Sequence, residues 1–170
     1  RVITDYFDGW LAEKPDATAI IDHRAGDGST MLLGYRELNG AVAAMARNLS
    51  GLGVGKGDVV SMQLPNWWQF VAVHLACVRI GAITNPLMPI FRHRELSFML
   101  RLAESKVFIV PATYRDFDYG ALGRQLGREV PSLAHVFVVG ASGADSFEDV
   151  LLAEGGEGFE TGGELHPNDL

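Results

Sequence analysis

From residue 59 to residue 140, short apolar segments alternate with longer amphipathic ones, and this order restricts the fold more than any other feature of the chain. The apolar segments have the length of single strands and lie at residues 59–64, 81–89, 106–111 and 134–140. Apolar strands that alternate with helices indicate a mainly parallel sheet covered by helices on both faces. We therefore predict an α/β fold.

Helices are predicted between these strands, and a helix and a hairpin are predicted before them. Apolar residues at spacings of three and four mark the helix at 35–50, and its stripe consists of Tyr35, Leu38, Val42, Met45 and Leu49. A helix at 95–104 is expected to bury Phe98 and Leu102. The remaining predicted elements are helices at 4–13, from 67 onward and at 116–130, and a hairpin at 17–35.

The chain divides by composition into two parts. Residues 1–140 are predicted to form one α/β subdomain, and residues 141–170 are rich in Gly and acidic residues and are expected to be a connection. The net charge of −7, without a Lys/Arg cluster, argues against a nucleic-acid partner. Polar groups interrupt the most apolar segment, so no transmembrane segment is expected. A lone cysteine gives no sign of an oxidising compartment, and we expect a cytoplasmic protein.

The stretch "LPNWWQF" at residues 64–70 could mark a binding site or the start of a buried helix. Asn66 and Gln69 have the spacing of a capping box, which favours the helix. Adjacent helical residues point about 100° apart, so Trp67 and Trp68 cannot form one aromatic cage between them. We expect them to pack mostly into the core. The predicted apolar face of this helix contains Trp67, Phe70, Val71, His74, Cys77, Val78 and Gly81.

Motifs for catalysis and metal binding are scarce. The Gly-rich segment around Lys56 follows a helix and precedes a strand, which is the reverse of the order in a phosphate loop. No paired Cys or His has zinc spacing, and Ser61 and Ser97 show no nucleophile-elbow pattern, so neither a metal site nor a catalytic residue is expected in this chain. Cys77 is expected to be a buried structural thiol. His74 is either a pocket-lining residue or a core histidine bonded to a backbone carbonyl.

Two groups of basic residues remain as candidate contacts for anions. Arg92, His93 and Arg94 lie near a predicted helix start, where they contact an anion or a partner, or simply face solvent. Arg115 follows a predicted strand, at the carboxyl end where ligands of α/β sheets usually bind. Arg115 is therefore the basic residue best placed to contact a phosphate.

A series of short motifs between residues 34 and 96 resembles the N-terminal part of the adenylate-forming, AMP-binding superfamily, which includes acyl-CoA synthetases. The family typically has a Tyr-x-Glu-Leu helix, a Gly-x-x-x-Gly-Asp turn, Leu-Pro-Asn after a strand, and Arg-x-Gly-Ala, Asn-Pro and Arg-Glu-Leu further on. In this chain the matching segments are "YREL" at 35–38, "GVGKGD" at 53–58, "LPN" at 64–66, "RIGA" at 79–82, "NP" at 85–86 and "REL" at 94–96. The variant "FRHREL" looks most like acyl-CoA ligases for medium-chain acids or cyclohexanecarboxylate.

The resemblance implies that the parent protein joins a carboxylic acid to coenzyme A with ATP and Mg²⁺, through an acyl-adenylate and with release of pyrophosphate and AMP. It implies the N-terminal subdomain of a larger acyl-CoA synthetase-like domain. The family's Ser/Thr/Gly-rich phosphate loop would follow Pro167–Leu170 and is absent, as are the later nucleotide motifs. We therefore expect an N-terminal fragment that is inactive alone and binds none of these cofactors tightly. In some relatives arginines past this strand contact the 3′-phosphate of coenzyme A, which makes Arg115 the candidate by position.

Two other readings of the sequence remain open. The chain could be a stand-alone α/β module that binds coenzyme A or a nucleotide without catalysis. It could also be a non-catalytic scaffold, or a flavodoxin-like domain that shares only α/β patterning with the family. If the chain is one part of a larger domain, it should expose surface that the remainder of its own polypeptide covers, and the isolated chain should self-associate.

Overall fold

A computed structural model describes residues 2–24 and 28–154 of the chain. Its helices are α1 (Ile3–Glu13), α2 (Tyr35–Gly51), α3 (Trp68–Ile80), α4 (His93–Leu102), α5 (Tyr119–Glu129) and α6 (Phe147–Leu151). Its strands are β1 (Thr18–His23), β2 (Thr30–Gly34), β3 (Val59–Met62), β4 (Ile83–Pro86), β5 (Val107–Pro111), β6 (Thr113–Tyr114), β7 (Phe117–Asp118) and β8 (His135–Val139).

The central feature is a parallel sheet of four strands in the order β4-β3-β5-β8. Val60 of β3 pairs with Thr84 of β4 on one side and with Val107 of β5 on the other, and Val107 also pairs with His135 of β8. Helices connect these strands, as parallel pairing requires. The prediction of an α/β fold with a mainly parallel sheet is confirmed. Two small antiparallel hairpins, β1–β2 and β6–β7, accompany the sheet.

The sheet separates two hydrophobic layers because successive strand residues point to opposite faces. Ile109 of β5 packs in the layer with α2 and α3, whereas its neighbours Phe108 and Val110 pack in the layer with α4 and α5. All three are at most 1% exposed. The apolar runs of the sequence therefore reflect strands that are buried on both faces.

Glycines let α5 approach the sheet closely. A Cβ at Gly123 would lie 2.9 Å from a methyl carbon of Val110 and 3.3 Å from one of Val136. A Cβ at Gly127 would lie 2.8 Å from a methyl carbon of Val136. These glycines weaken the helical pattern of the sequence, but their lack of a side chain makes room for the valines of β5 and β8.

The α3 helix differs from the sequence prediction at its start and in its buried face. Trp67, not Asn66, is the N-cap, and no side chain of its own segment caps the helix. Instead the Trp68 N–H donates to Oδ2 of Asp22 at 3.3 Å. The predicted stripe is wrong as well, because Val71 is exposed. The buried residues lie nearly all around α3 and are Gln69, Ala72, Val73, Leu75, Ala76, Cys77, Val78 and Ile80.

Helices α4 and α5 also depart from the predictions. Phe98 and Leu102 are 65% and 73% exposed, so the predicted apolar side of α4 is wrong, and Leu96 and Leu100 face the core instead. Helix α5 begins at Tyr119 instead of residue 116, because residues 113–118 form the β6–β7 hairpin. Asp118 is the N-cap of α5, and its Oδ1 accepts the Ala121 N–H at 2.7 Å.

The start of the predicted connection is ordered around α6. The Ser146 hydroxyl accepts the Asp149 N–H at 3.0 Å and caps this helix. Asn48 Nδ2 of α2 donates to the carbonyls of Leu151 and Ala153. The remainder of the connection, including the segment Pro167–Leu170, lies outside the described residues.

Candidate functional site

The carboxyl ends of the four parallel strands lie at one edge of the sheet, which we call the carboxyl edge. Its loops are residues 63–67 after β3, 87–92 after β4, 112–118 after β5 and 140–146 after β8. Ligands of open α/β sheets bind at this edge because the loops and helix N-termini there converge on one crevice. Arg115 lies here, as the sequence predicts.

Three side chains hold the loop at residues 87–92 in place through its backbone carbonyls. Gln63 is fully buried, and its Nε2 donates to the carbonyls of Met88 and Phe91 at 2.9 and 3.0 Å. The Tyr119 hydroxyl donates to the Pro89 carbonyl at 2.7 Å. Arg92 Nη1 also donates to the Pro89 and Phe91 carbonyls. This loop is therefore a fixed wall of the carboxyl edge.

Aromatic rings from the N-cap of α3, the β6–β7 hairpin and the start of α5 meet beside this wall. Trp67 and Tyr114 lie with their ring centroids 6.1 Å apart and their planes at 90°. Tyr119 lies 6.4 Å from Tyr114 and 4.9 Å from Phe117. Aromatic pairs favour such edge-to-face and tilted geometries. Sequence reasoning missed this cluster, because it placed residues 116–130 in one helix and treated Trp67 as a core residue.

Arg92 and Arg115 lie against rings of this cluster. The guanidinium carbon of Arg92 is 4.1 Å from the ring centroid of Phe117, and that of Arg115 is 5.3 Å from the centroid of Tyr114. Both distances are within the range of cation–π attraction. The Arg92 guanidinium also donates hydrogen bonds to backbone carbonyls. Arg115 is exposed, and it makes no ion pair within the described part of the chain.

The turn that carries Arg115 has an unusual backbone. Arg115 and Asp116 adopt positive φ angles of 48° and 59° between β6 and β7. Two-residue hairpin turns with both central residues in the left-handed region usually contain Asn-Gly, since other side chains crowd the backbone there. The turn therefore keeps an arginine at a position where stability alone would favour another residue.

We expect Asp116→Gly to raise the free energy of unfolding of this chain by about 0.5–1 kcal/mol, because glycine adopts a positive φ without strain. Urea unfolding followed by circular dichroism would measure the change. Asp116→Ala is the matched control and should lower stability, since alanine lacks both the aspartate carboxylate and the freedom of glycine. A loss of stability with both substitutions would show that the aspartate side chain, not the backbone, decides the effect.

The structure places His74 away from Arg115. His74 is half-buried in the middle of α3, and its Nδ1 lies 2.9 Å from the Thr84 hydroxyl oxygen. Thr84 pairs with Val60 in the first half of β3, so this contact lies along the edge strand and not at the carboxyl edge. Burial lowers the pKa of His74, which favours a neutral ring. The observed partner is a hydroxyl and not a backbone carbonyl, and the pocket-lining role stays a prediction.

The other candidate residues have structural partners. Cys77 is fully buried, and burial raises the pKa of its thiol to about 12, as expected of an unreactive cysteine. His93 Nε2 lies 2.5 Å from a Glu129 carboxylate oxygen, which joins α4 to α5. Arg94 is exposed at the start of α4. Arg92 faces the aromatic cluster, and the anion contact considered for "FRHRE" at residues 91–95 stays a prediction.

The described residues show neither a metal-binding cluster nor a membrane-spanning helix. Residues 2–24 and 28–154 contain no group of three or more His, Cys, Asp or Glu that could hold a metal ion. The described residues thus form no metal cage of their own, whereas Mg²⁺ that accompanies ATP is typically held by one or two carboxylates and by phosphate oxygens. Over the same ranges, no helix combines the length and the apolar character needed to cross a membrane.

Comparison with known proteins extends these observations. The profile of the AMP-binding enzyme family matches residues 7–169. The chain is 35% identical over 127 residues to a 2-hydroxy-7-methoxy-5-methyl-1-naphthoate–CoA ligase of Streptomyces carzinostaticus, which covers 75% of this chain and 22% of that protein. It is also 35% identical over 155 residues to a salicylyl-CoA synthase/salicylate adenylyltransferase of a Streptomyces species, covering 91% of this chain and 27% of that protein.

A solved structure has the same fold. The anthranilate CoA ligase AuaEII, crystallised with anthranoyl-AMP, superimposes with a TM-score of 0.72 at 24% sequence identity. The match covers 86% of this chain and 26% of that protein. This chain therefore spans about a quarter of the length of the relatives that it matches.

Proposed function

Because the chain belongs to the AMP-binding enzyme family, we propose that it is the N-terminal part of an ATP-dependent acid–thiol ligase. The match of the family profile to residues 7–169 is the observation that supports this proposal most strongly. Two similar proteins, each containing a segment like this chain, are named as acting on different acids, a naphthoate and salicylate, and both names include coenzyme A.

The proposed reaction has two steps. A carboxylate oxygen of the acid attacks the α-phosphorus of ATP, the bond to the β-phosphate breaks, and pyrophosphate leaves with the electron pair of that bond. The coenzyme A thiolate then attacks the acyl carbon, and AMP leaves. Both steps need cationic or N–H groups around the phosphates, because negative charge is redistributed as these bonds break. The described residues offer no such catalytic group beyond the arginines of the carboxyl edge, so we propose that the chain alone is inactive.

Within this scheme we propose that Arg115 contacts the 3′-phosphate of coenzyme A. Its guanidinium is exposed at the carboxyl edge, makes no ion pair among the described residues and lies on the Tyr114 ring. A guanidinium suits a phosphate because its planar N–H groups match the phosphate oxygens. The left-handed backbone at Arg115 adds support, since strain of this kind is usually retained for function.

The function is tested with the full-length protein, meaning the longer protein that we propose contains this chain. It is incubated with ATP, Mg²⁺, coenzyme A and one acid from a panel that includes salicylate, anthranilate and medium-chain fatty acids. We expect one class of acid to give equal amounts of AMP and an acyl-CoA thioester. Formation of ADP instead of AMP would contradict the adenylate route. Binding of coenzyme A without product from any acid would favour the stand-alone binding module.

We expect Arg115→Gln to raise the KM of the full-length protein for coenzyme A about tenfold, as is typical when a hydrogen bond to a charged group is lost. The KM for 3′-dephospho-coenzyme A should stay unchanged, because that substrate lacks the group that Arg115 contacts. Steady-state kinetics with both thiols measures the difference. Equal increases for the two thiols would mean that Arg115 does not contact the 3′-phosphate.

A further inference from the structure

A line of contacts joins the end of β1 to the turn that carries Arg115. The guanidinium carbon of Arg24 lies 4.3 Å from the ring centroid of Trp67. Trp67 meets Tyr114 edge to face at 6.1 Å, and Tyr114 in turn lies beneath the Arg115 guanidinium at 5.3 Å. Residues from the first hairpin, from the N-cap of α3 and from the β6–β7 hairpin thus form one continuous group at the carboxyl edge.

The Arg24 side chain is held in place from several sides. Its Nη2 donates to Oε1 of Gln69 at 3.3 Å, and its Nε lies 3.5 Å from Oδ2 of Asp22. The Asp22 side chain is only 1% exposed, and the same Oδ2 accepts the Trp68 N–H of the α3 N-terminus. Two polar contacts and a ring face therefore fix the plane of the guanidinium against Trp67.

We infer that Arg24 is a positioning residue for the thiol substrate. It holds the Trp67 ring against Tyr114, and Tyr114 in turn supports the Arg115 guanidinium in the position that receives the 3′-phosphate. This inference rests on the proposed function of the full-length protein. It also gives the β1–β2 hairpin a role, since the hairpin supplies Arg24 and Asp22 to an edge of a sheet to which it does not belong.

The need for such support follows from the chemistry of Arg115. An exposed arginine loses considerable rotamer freedom when it binds a phosphate, and an aromatic platform that already orders its side chain reduces this loss. The platform works only while its own rings are fixed. Trp67 is half-buried at the entrance to α3 and packs against the core on one side, and Arg24 and Tyr114 contact the rest of its ring.

The variant Arg24→Lys tests the inference in the full-length protein. Lysine keeps the positive charge beside Asp22, so that no buried carboxylate is left without a cation, but it cannot stack as a plane on Trp67. We expect the KM for coenzyme A to rise about three- to tenfold, as for the loss of a partly exposed cation–π contact. The KM for 3′-dephospho-coenzyme A and the rate of acid-dependent ATP–pyrophosphate exchange should not change.

Further variants separate positioning from general stabilisation. The double variant Arg24→Lys/Arg115→Gln should be no worse for coenzyme A than Arg115→Gln alone, because Arg24 acts through Arg115. Trp67→Leu, which removes the ring between Arg24 and Tyr114, should reproduce the selective rise in the KM for coenzyme A. Arg36→Lys is the matched control, since Arg36 is exposed, contacts Asp16 and should affect neither thiol.

The possible results are distinct. Three results would overturn the positioning role without affecting the ligase activity. In Arg24→Lys, the KM values for the two thiols could change equally or not at all. In the double variant, the increases in the KM for coenzyme A could be additive. A wild-type protein that activates no acid would overturn the proposed function, and the positioning role with it. A rise limited to coenzyme A, absent from the Arg36 control and not additive with Arg115→Gln, would support the inference.

Discussion

We expect Gly123→Leu to lower the free energy of unfolding of this chain by about 3 kcal/mol, at the upper end of what overpacking in a core costs. A Cβ at this position would already be 2.9 Å from a methyl carbon of Val110, which is 1% exposed and cannot turn away easily. The larger side chain must lift α5 from the sheet or distort β5. Since domains are typically stable by only about 5–15 kcal/mol, the loss should be plain in urea unfolding followed by circular dichroism.

The same exchange at Gly40 is the matched control. Gly40 is exposed on α2, and a Cβ there would have no neighbour within 4 Å. Gly40→Leu should therefore raise the free energy of unfolding by about 0.5–1 kcal/mol, because leucine has the higher helix propensity. If both variants changed stability in the same direction and by similar amounts, helix propensity and not the close approach of α5 would explain the glycines.

The second large effect is expected at Arg79, which connects α3 with α1 and α2. Its Nη2 donates to Oδ1 of Asp8 at 2.7 Å and to Oδ1 of Asn39 at 2.9 Å, and its side chain is 18% exposed. Arg79→Met keeps the apolar part of the side chain and removes both bonds. We expect a loss of about 2 kcal/mol, the range for hydrogen bonds to charged groups, reduced because Asp8 is partly exposed. Hydrogen exchange of the α1 amides should accelerate more than that of the sheet.

Arg36→Met is the control for this prediction, since it breaks an Arg–Asp pair of the same kind at the surface. Arg36 and Asp16 are 67% and 81% exposed, and such pairs contribute little. We expect a change of less than about 0.5 kcal/mol. If Arg79→Met left α1 exchange unaltered, the contacts of Arg79 would not be what holds α1 to the remainder of the fold.

The order of the parallel strands could be predicted from sequence because it depends on local patterns. Strands buried on both faces give continuous apolar runs, and the segments around Phe108 and Val138 are of this kind. The stripe of α2 was equally clear, since one face of this helix lies on the core and the other faces water. Leu38, Val42, Met45 and Leu49 are all buried.

Other features could not be predicted, because they depend on contacts between distant parts of the chain. Nearly all sides of α3 are buried, so no periodic stripe exists to be found. In α4, Leu96 and Leu100 have the same spacing as Phe98 and Leu102, and spacing alone does not tell which pair faces the sheet. The cap of α3 comes from Asp22, 46 residues earlier, which no local motif reveals.

The candidate site was predictable only in part. Arg115 stood out because it lies shortly after an apolar strand, and the carboxyl ends of parallel strands meet at one edge. The contacts of Arg115 and Arg24 with aromatic rings depend on the β6–β7 hairpin and on how the β1–β2 hairpin lies against α3. Neither feature leaves a periodic signal in the sequence.

Acid-dependent exchange of labelled pyrophosphate into ATP tests the central claim most directly. It is measured for the full-length protein and for this chain, with the same panel of acids and no coenzyme A. We expect exchange by the full-length protein with at least one acid and none by this chain, in line with the proposal that the catalytic groups lie elsewhere in the full-length protein. If the isolated chain also catalysed exchange, the proposed placement of the catalytic groups would be wrong. If neither protein catalysed exchange with any acid, the proposed ligase function would be wrong.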